Sequence, residues 1–152
     1  TAQLFQNLGA NIYAYDLFPD SEYLKNNNIQ LLSIEELFSK SDIISIHVPG
    51  NNNNEPIIGM KELSLMHRNS YLINVSRGGV VNEEVLFDIL DKKHISGAAL
   101  DVFLEEPYQG QFLNLDNVIL TPHLGSYALE GKLKMEIDAV NNLINYLNKK
   151  IK

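Results

Sequence analysis

Two short runs, Ile43-Ile44-Ser45-Ile46-His47-Val48 and Tyr71-Leu72-Ile73-Asn74-Val75, are apolar at most positions rather than at every second one. A strand with one face in water alternates; a strand that does not alternate has to be covered on both faces. This most constrains the chain, because burial on both faces marks a parallel sheet sandwiched between helices. The segments between the runs supply those helices. Ser33 and Glu36 have the spacing of a capping box, and Leu37 and Phe38 give the helix behind it an apolar face. Asn82 is placed to cap another, with Glu83 and Glu84 in the first turn where acids suit the helix dipole. Val85, Leu86, Ile89 and Leu90 form its inner stripe.

The rest of the chain keeps the alternation. Leu4, Phe5 and Leu8 lie at helical spacing ahead of Gly9, which is suited to ending a helix. Residues 11–16, 29–32, 97–102 and 118–121 read as further strands, residues 51–54 as a polar loop, and residues 62–66 as one helical turn. Leu129, Leu133, Ile137, Val140, Ile144 and Leu147 step by three or four through a long last helix, whose stripe reads as ordinary core. The order predicts an α/β chain, a Rossmann-type doubly wound parallel sheet.

Bulk properties narrow the function. The 152 residues suit one domain, and a 45% hydrophobic content supports one sizeable core. A net charge of −7 argues against a nucleic-acid partner, which needs a basic face. No apolar run reaches membrane-spanning length, so no membrane partner is expected. The chain has no Cys, which excludes disulfides and thiolate metal sites and fits a reducing, cytoplasmic setting. It also lacks the HExxH, EF-hand, GxxxxGK[ST] and GxSxG patterns, so no metal site is expected.

In parallel sheets ligands bind beyond the carboxyl ends of the strands, and polar residues collect at those ends here. Asp16 ends the first visible strand. A carboxylate there accepts hydrogen bonds from adenosine ribose hydroxyls and repels a 2′-phosphate, favouring NAD over NADP; the plain alternative is a turn Asp before Pro19. In Ser76-Arg77-Gly78-Gly79 two glycines let the backbone approach a ligand closely, and Arg77 offers a fork matching a carboxylate. The alternative is a surface Arg in a turn. Glu106 and His123 follow successive strands and suit an acid–base pair: His carries a proton near neutral pH, and a carboxylate beside it favours its charged form. Singly, each also reads as an ordinary loop residue. His67 and His94 read as surface residues. His47 reads as structural or cofactor-side.

The stretches His47-Val48-Pro49, Leu72 to Val81, Gly97 to Phe103, Glu106-Pro107 and Asn117 to Gly125 occur in an order that resembles the NAD-binding domain of D-isomer-specific 2-hydroxyacid dehydrogenases. The resemblance runs over essentially the whole chain. It implies hydride transfer between NAD and the CH–OH group of a small 2-hydroxy acid, and a homodimer joined through this domain. It implies that Arg77 holds the substrate carboxylate, that His123 is the acid–base residue and Glu106 its partner, and that Asp16 is the ribose ligand. Val75, Ser76 and Asp101 match positions beside the nicotinamide, and His47, Val48 and Pro49 match those beside the middle of the cofactor. Gly125 and Ser126 match the turn after the His.

Residues 63–66, 93–97 and 123–128 look most like the phosphoglycerate dehydrogenase branch, which implies oxidation of 3-phosphoglycerate to 3-phosphohydroxypyruvate in serine biosynthesis. Three departures from the family pattern stand out. The first strand with its glycine-rich loop is missing from residues 1–152, so is the substrate domain, and Asn82 replaces a common Asp. Residues 1–152 are therefore expected to be an N-terminally incomplete NAD-binding domain, inactive alone. The rival expectations are another D-2-hydroxyacid dehydrogenase (a glyoxylate or hydroxypyruvate reductase, or a D-lactate dehydrogenase), an NAD-sensing corepressor on the same fold, and a fragment that only associates.

Overall fold

The computed structural model describes residues 1–51, 55–125 and 127–150. Helices and strands alternate as α1 (Ala2–Asn7), β1 (Tyr13–Ala14), α2 (Ser21–Asn26), β2 (Gln30–Leu31), α3 (Ile34–Lys40), β3 (Ile43–Ile46), α4 (Met60–Leu63), β4 (Tyr71–Asn74), α5 (Glu83–Asp91), β5 (Gly97–Leu100), a 3₁₀ turn (Gln111–Asn114), β6 (Val118–Leu120) and α6 (Leu129–Lys150). All strand pairs are parallel, and the architecture is α/β and Rossmann-like. Strands β3-β4-β5-β6 form one sheet in sequence order, and β1-β2 form a separate two-stranded ladder.

Local chemistry explains the elements. Ser33 Oγ accepts from Glu36 N, and the Glu36 carboxylate accepts from Ser33 N, closing the capping box of α3. Asn82 Oδ1 accepts from Val85 N at 3.0 Å and starts α5. Gly9 takes φ +87° just past α1. The core beneath the four-stranded sheet gathers Phe38, Leu63, Leu72, Leu86, Leu90, Ile95 and Phe112, all buried.

Several expectations need correction. The strands are shorter than their apolar runs. β4 stops at Asn74 because the Asn74 side chain replaces the ladder: its Oδ1 accepts from both Ser76 N and Ser76 Oγ, and its Nδ2 donates to Arg77 O. Helix α2 escaped the periodicity argument, since Ser-Glu-Tyr-Leu-Lys-Asn has little apolar pattern; Asp20 caps it by accepting from Tyr23 N. The last helix forms, but its stripe is not core. Leu129, Leu133, Ile137, Val140, Ile144 and Leu147 are all exposed. Spacing determines which residues share a stripe, not what covers it. Of the polar loop, residues 52–54 lie outside the described residues. Among the described residues no helix is long and apolar enough to cross a membrane.

Candidate active site

The register sets Ile46 beside Asn74 and Asn74 beside Leu100, while Leu100 pairs with Leu120. The carboxyl ends of β3 to β6 therefore form one edge, and the segments after them emerge side by side. After β4, the Asn74 turn delivers Arg77 to the surface. Its Nη1 donates to the Ser76 carbonyl at 2.7 Å, and no carboxylate of the described residues pairs with its guanidinium. The following glycines serve a different purpose from the close ligand approach expected of them. A Cβ on Gly78 would sit 1.8 Å from the Phe103 carbonyl oxygen, and one on Gly79, at φ +75°, would meet Leu104 Cδ1 at 3.2 Å. The turn after β4 is thus pressed against the loop after β5, backbone on backbone.

That second loop carries Glu106. Its Oε1 accepts from Phe103 N at 3.1 Å, which fixes the carboxylate, and its Oε2 lies 2.9 Å from His123 Nδ1. A carboxylate can only accept, so Nδ1 carries a proton and Nε2 is the atom left to exchange one. The hydrogen bond from His123, helped by the one from Phe103 N, holds the Glu106 carboxyl below the usual carboxylate range. His123 sits at φ +55°, in the left-handed region that non-glycine residues seldom enter.

Asp101 braces that conformation. Its carboxylate is buried and accepts from Thr121 Oγ1, from Leu124 N at 2.8 Å and from Gly125 N at 3.0 Å. Burial works against its charge, yet these hydrogen bonds and the nearby His123 keep its carboxyl below the usual range. His123 and Glu106 face an open cleft of about 660 Å³ whose apolar wall includes Phe103, Tyr108, Leu113 and Leu120.

Of the other predicted positions, those at 47–49, 75, 76 and 125 follow strands of the same edge, while Asp16 belongs to the separate β1-β2 ladder. Asp16 follows β1 and is exposed; its Oδ1 accepts from Phe18 N at 2.8 Å, so it closes a turn, as the plainer reading held, while Oδ2 has no hydrogen bond among the described residues. His47 is exposed and its Nε2 lies 2.9 Å from Ser45 Oγ. Val48 and Pro49 follow it. Val75 is exposed, whereas Ser76 is buried and spends its hydroxyl on Asn74. Gly125 serves Asp101, and Ser126 lies outside the described residues. Away from this edge, a cavity of about 400 Å³ is lined by His67, Arg68, Lys92 and His94. Lys92 is paired with Asp88 and His67 with Asp42, so much of its charge is met locally.

The donor set fits a dinucleotide. A carboxylate with one open oxygen at the end of β1 suits ribose hydroxyls, and an exposed Val75 offers an apolar surface to a flat ring. Sequence reasoning gave Glu83 only the role of a first-turn acid and missed its contact with the loop that carries Glu106. Glu83 Oε1 accepts from Leu104 N at 2.6 Å, across 21 positions, and only the fold brings them together.

A family model described as the D-isomer specific 2-hydroxyacid dehydrogenase NAD binding domain matches residues 1–125. D-3-phosphoglycerate dehydrogenase of Escherichia coli (strain K12) is 38% identical over 149 residues, covering 94% of this chain and 36% of the relative. Glyoxylate reductase of Thermococcus litoralis is 39% identical over 146 residues, covering 95% of this chain and 44% of that protein. The chain thus spans well under half the length of these relatives. The NAD-complexed crystal structure of the D-isomer specific 2-hydroxyacid dehydrogenase from Lactobacillus delbrueckii ssp. bulgaricus superposes with a TM-score of 0.83 at 26% identity, covering 97% of this chain and 49% of that one. With its parallel sheet and these matches in agreement, the chain belongs to the D-isomer-specific 2-hydroxyacid dehydrogenases, as their NAD-binding domain.

Proposed function

We propose that the protein carrying this domain oxidises and reduces a D-2-hydroxy acid with NAD, and that its substrate pair is 3-phosphoglycerate and 3-phosphohydroxypyruvate, in serine biosynthesis. The Glu106–His123 contact at the carboxyl edge of the sheet carries the reading. NAD, when bound, supplies the hydride acceptor or donor. His123 does the proton work: neutral, it takes the hydroxyl proton at Nε2 as the alcohol is oxidised; protonated, it returns that proton to the carbonyl oxygen in reduction. Glu106 holds Nδ1–H and offsets the charge of the imidazolium. Arg77, which no carboxylate of the described residues pairs, receives the substrate carboxylate in two hydrogen bonds. Asp16 takes the ribose hydroxyls. His47, Val48 and Pro49 flank the middle of the cofactor, Val75, Ser76 and Asp101 its nicotinamide side, and Gly125 the turn behind the base.

The phosphoglycerate assignment is supported by residues 63–66, 93–97 and 123–128 and by the D-3-phosphoglycerate dehydrogenase relative. Glyoxylate reduction is the second reading, since a glyoxylate reductase matches at 39% identity. A cytoplasmic homodimer belongs to the same proposal. The test is a turnover panel on the intact protein with 3-phosphoglycerate, glyoxylate, hydroxypyruvate and D-lactate, each with NAD and NADP in the matching redox form. The largest kcat/KM is expected for 3-phosphoglycerate with NAD. A larger value for glyoxylate transfers the assignment to the second reading, and no turnover of any of the four overturns both in favour of a binding role.

A further inference from the structure

We infer that Glu83 is a positioning residue for the acid–base pair, holding the loop that carries Glu106 onto the start of α5. The inference rests on the proposed roles of Glu106 and His123 and adds to them a residue outside the cleft.

A continuous set of contacts carries it. Glu83 is the first residue of α5, capped by Asn82, so its backbone is fixed by a helix whose inner stripe is buried. From there its Oε1 accepts from Leu104 N at 2.6 Å. The neighbouring residue, Phe103, donates its N–H to Glu106 Oε1 at 3.1 Å, and Glu106 Oε2 meets His123 Nδ1 at 2.9 Å. The same two residues are gripped from the other side: Gly78 lies against the Phe103 carbonyl, and Leu104 rests on Gly79. Phe103 and Leu104 are therefore clamped between the β4 turn and the α5 start, and the clamp fixes the N–H that orients Glu106. Glu83 supplies the polar half of that clamp. Each carboxylate oxygen of Glu106 has one partner, so a shifted Phe103 N–H would draw Glu106 Oε1 with it and lengthen the contact to His123.

Glu83 is half-buried, and burial pushes its carboxyl up against the pull of the Leu104 N–H. The charged groups around the arrangement are Glu105 and Glu106 beside Glu83, and Asp101 and His123 beside Glu106. Glu83 could also act through space as a charge, and its two simplest variants separate the cases. Glu83→Ala removes both charge and acceptor. Glu83→Gln removes the charge and keeps an amide oxygen for Leu104 N.

The experiment measures keto-acid reduction against pH in the intact protein for the parent, Glu83→Ala, Glu83→Gln and His123→Ala, with NAD affinity by calorimetry and a thermal melt for each. Glu83→Ala should lower kcat about tenfold, the scale of one lost hydrogen bond to a charged group. Its NAD affinity should stay close to the parent's. Glu83→Gln should recover most of the loss. An unchanged profile in Glu83→Ala, or a Gln variant as impaired as the Ala variant, overturns the positioning role. So does a loss in Glu83→Ala that follows NAD affinity or melting temperature, since a structural role would act that way. If His123→Ala keeps near-parental turnover, the acid–base assignment itself fails. If His123→Ala is inactive while Glu83→Ala behaves as the parent, only the present inference falls.

Discussion

Helices α5 and α6 carry apolar stripes of similar quality and have opposite fates. In α5, Leu86, Ile89 and Leu90 are buried at 1%, 8% and 0% exposure. In α6, the stripe from Leu129 to Leu147 is exposed between 47% and 68%. The difference is not in periodicity. Helix α5 is tied at its first turn by Asn82 and Glu83 and lies between two strands of the same sheet, so its inner face has β4 and β5 to cover. Helix α6 follows β6, and among the described residues no strand comes after it. An amphipathic pattern says that a face can be buried; the connections on either side decide whether it is.

The contrast can be broken most sharply at the edge that α5 supports. His123→Ala in the intact protein should cut turnover by roughly 10²–10⁴-fold, the range for losing a positioned acid–base group, with NAD affinity nearly kept. Glu106→Gln should retain the shape and remove the charge facing the imidazolium, so the rate of reduction falls while NAD affinity is kept. The sign in acid is set by Glu106, whose carboxyl is held low by His123. The Glu106 carboxylate is ionised above the usual carboxylate range, and its charge is lost only as pH falls through the lowered value. Turnover of each variant across acid pH checks all of this, and a parental rate in Glu106→Gln removes Glu106 from the pair.

Next come the stripes themselves. Leu90→Ala, in the covered stripe, should cost about 2–5 kcal/mol of unfolding free energy, read from denaturant midpoints of the 152-residue chain. The smallest effect belongs to α6. In the same chain Ile144→Ala should stay within about 0.5 kcal/mol, as exposed positions do. Equal losses for the two would mean that the α6 stripe is covered after all, and the contrast would be void.

Much of this was legible in the sequence. Unbroken apolar runs called for a parallel sheet, Ser33 and Asn82 marked helix starts, and strand ends singled out Arg77, Glu106 and His123. What stayed hidden depends on distant positions meeting. Asp101 looked like a residue facing the cofactor, and nothing local showed that its side chain gathers three donors from residues 121–125. Gly78 looked like a seat for a ligand and is a seat for Phe103. Glu83 looked like an ordinary first-turn acid and also reaches Leu104. No local pattern announces such pairings, because each partner satisfies its own neighbourhood equally well without the other. The α6 stripe failed for the complementary reason: local pattern was all there was.

The Gly78–Phe103 contact bears on how the protein could be re-engineered. Because that spot tolerates no side chain, residues 76–79 and 103–106 form a matched set, like two gear teeth cut together. A chimera that imports either segment alone from a relative would inherit a mismatch between backbones, where no rotamer change can absorb it. Importing both as a cassette keeps the mesh. Attempts to retune substrate preference would therefore do better to leave this junction whole and vary the exposed apolar wall of the cleft, where Leu113 stands 62% exposed and a change of side chain meets mostly water.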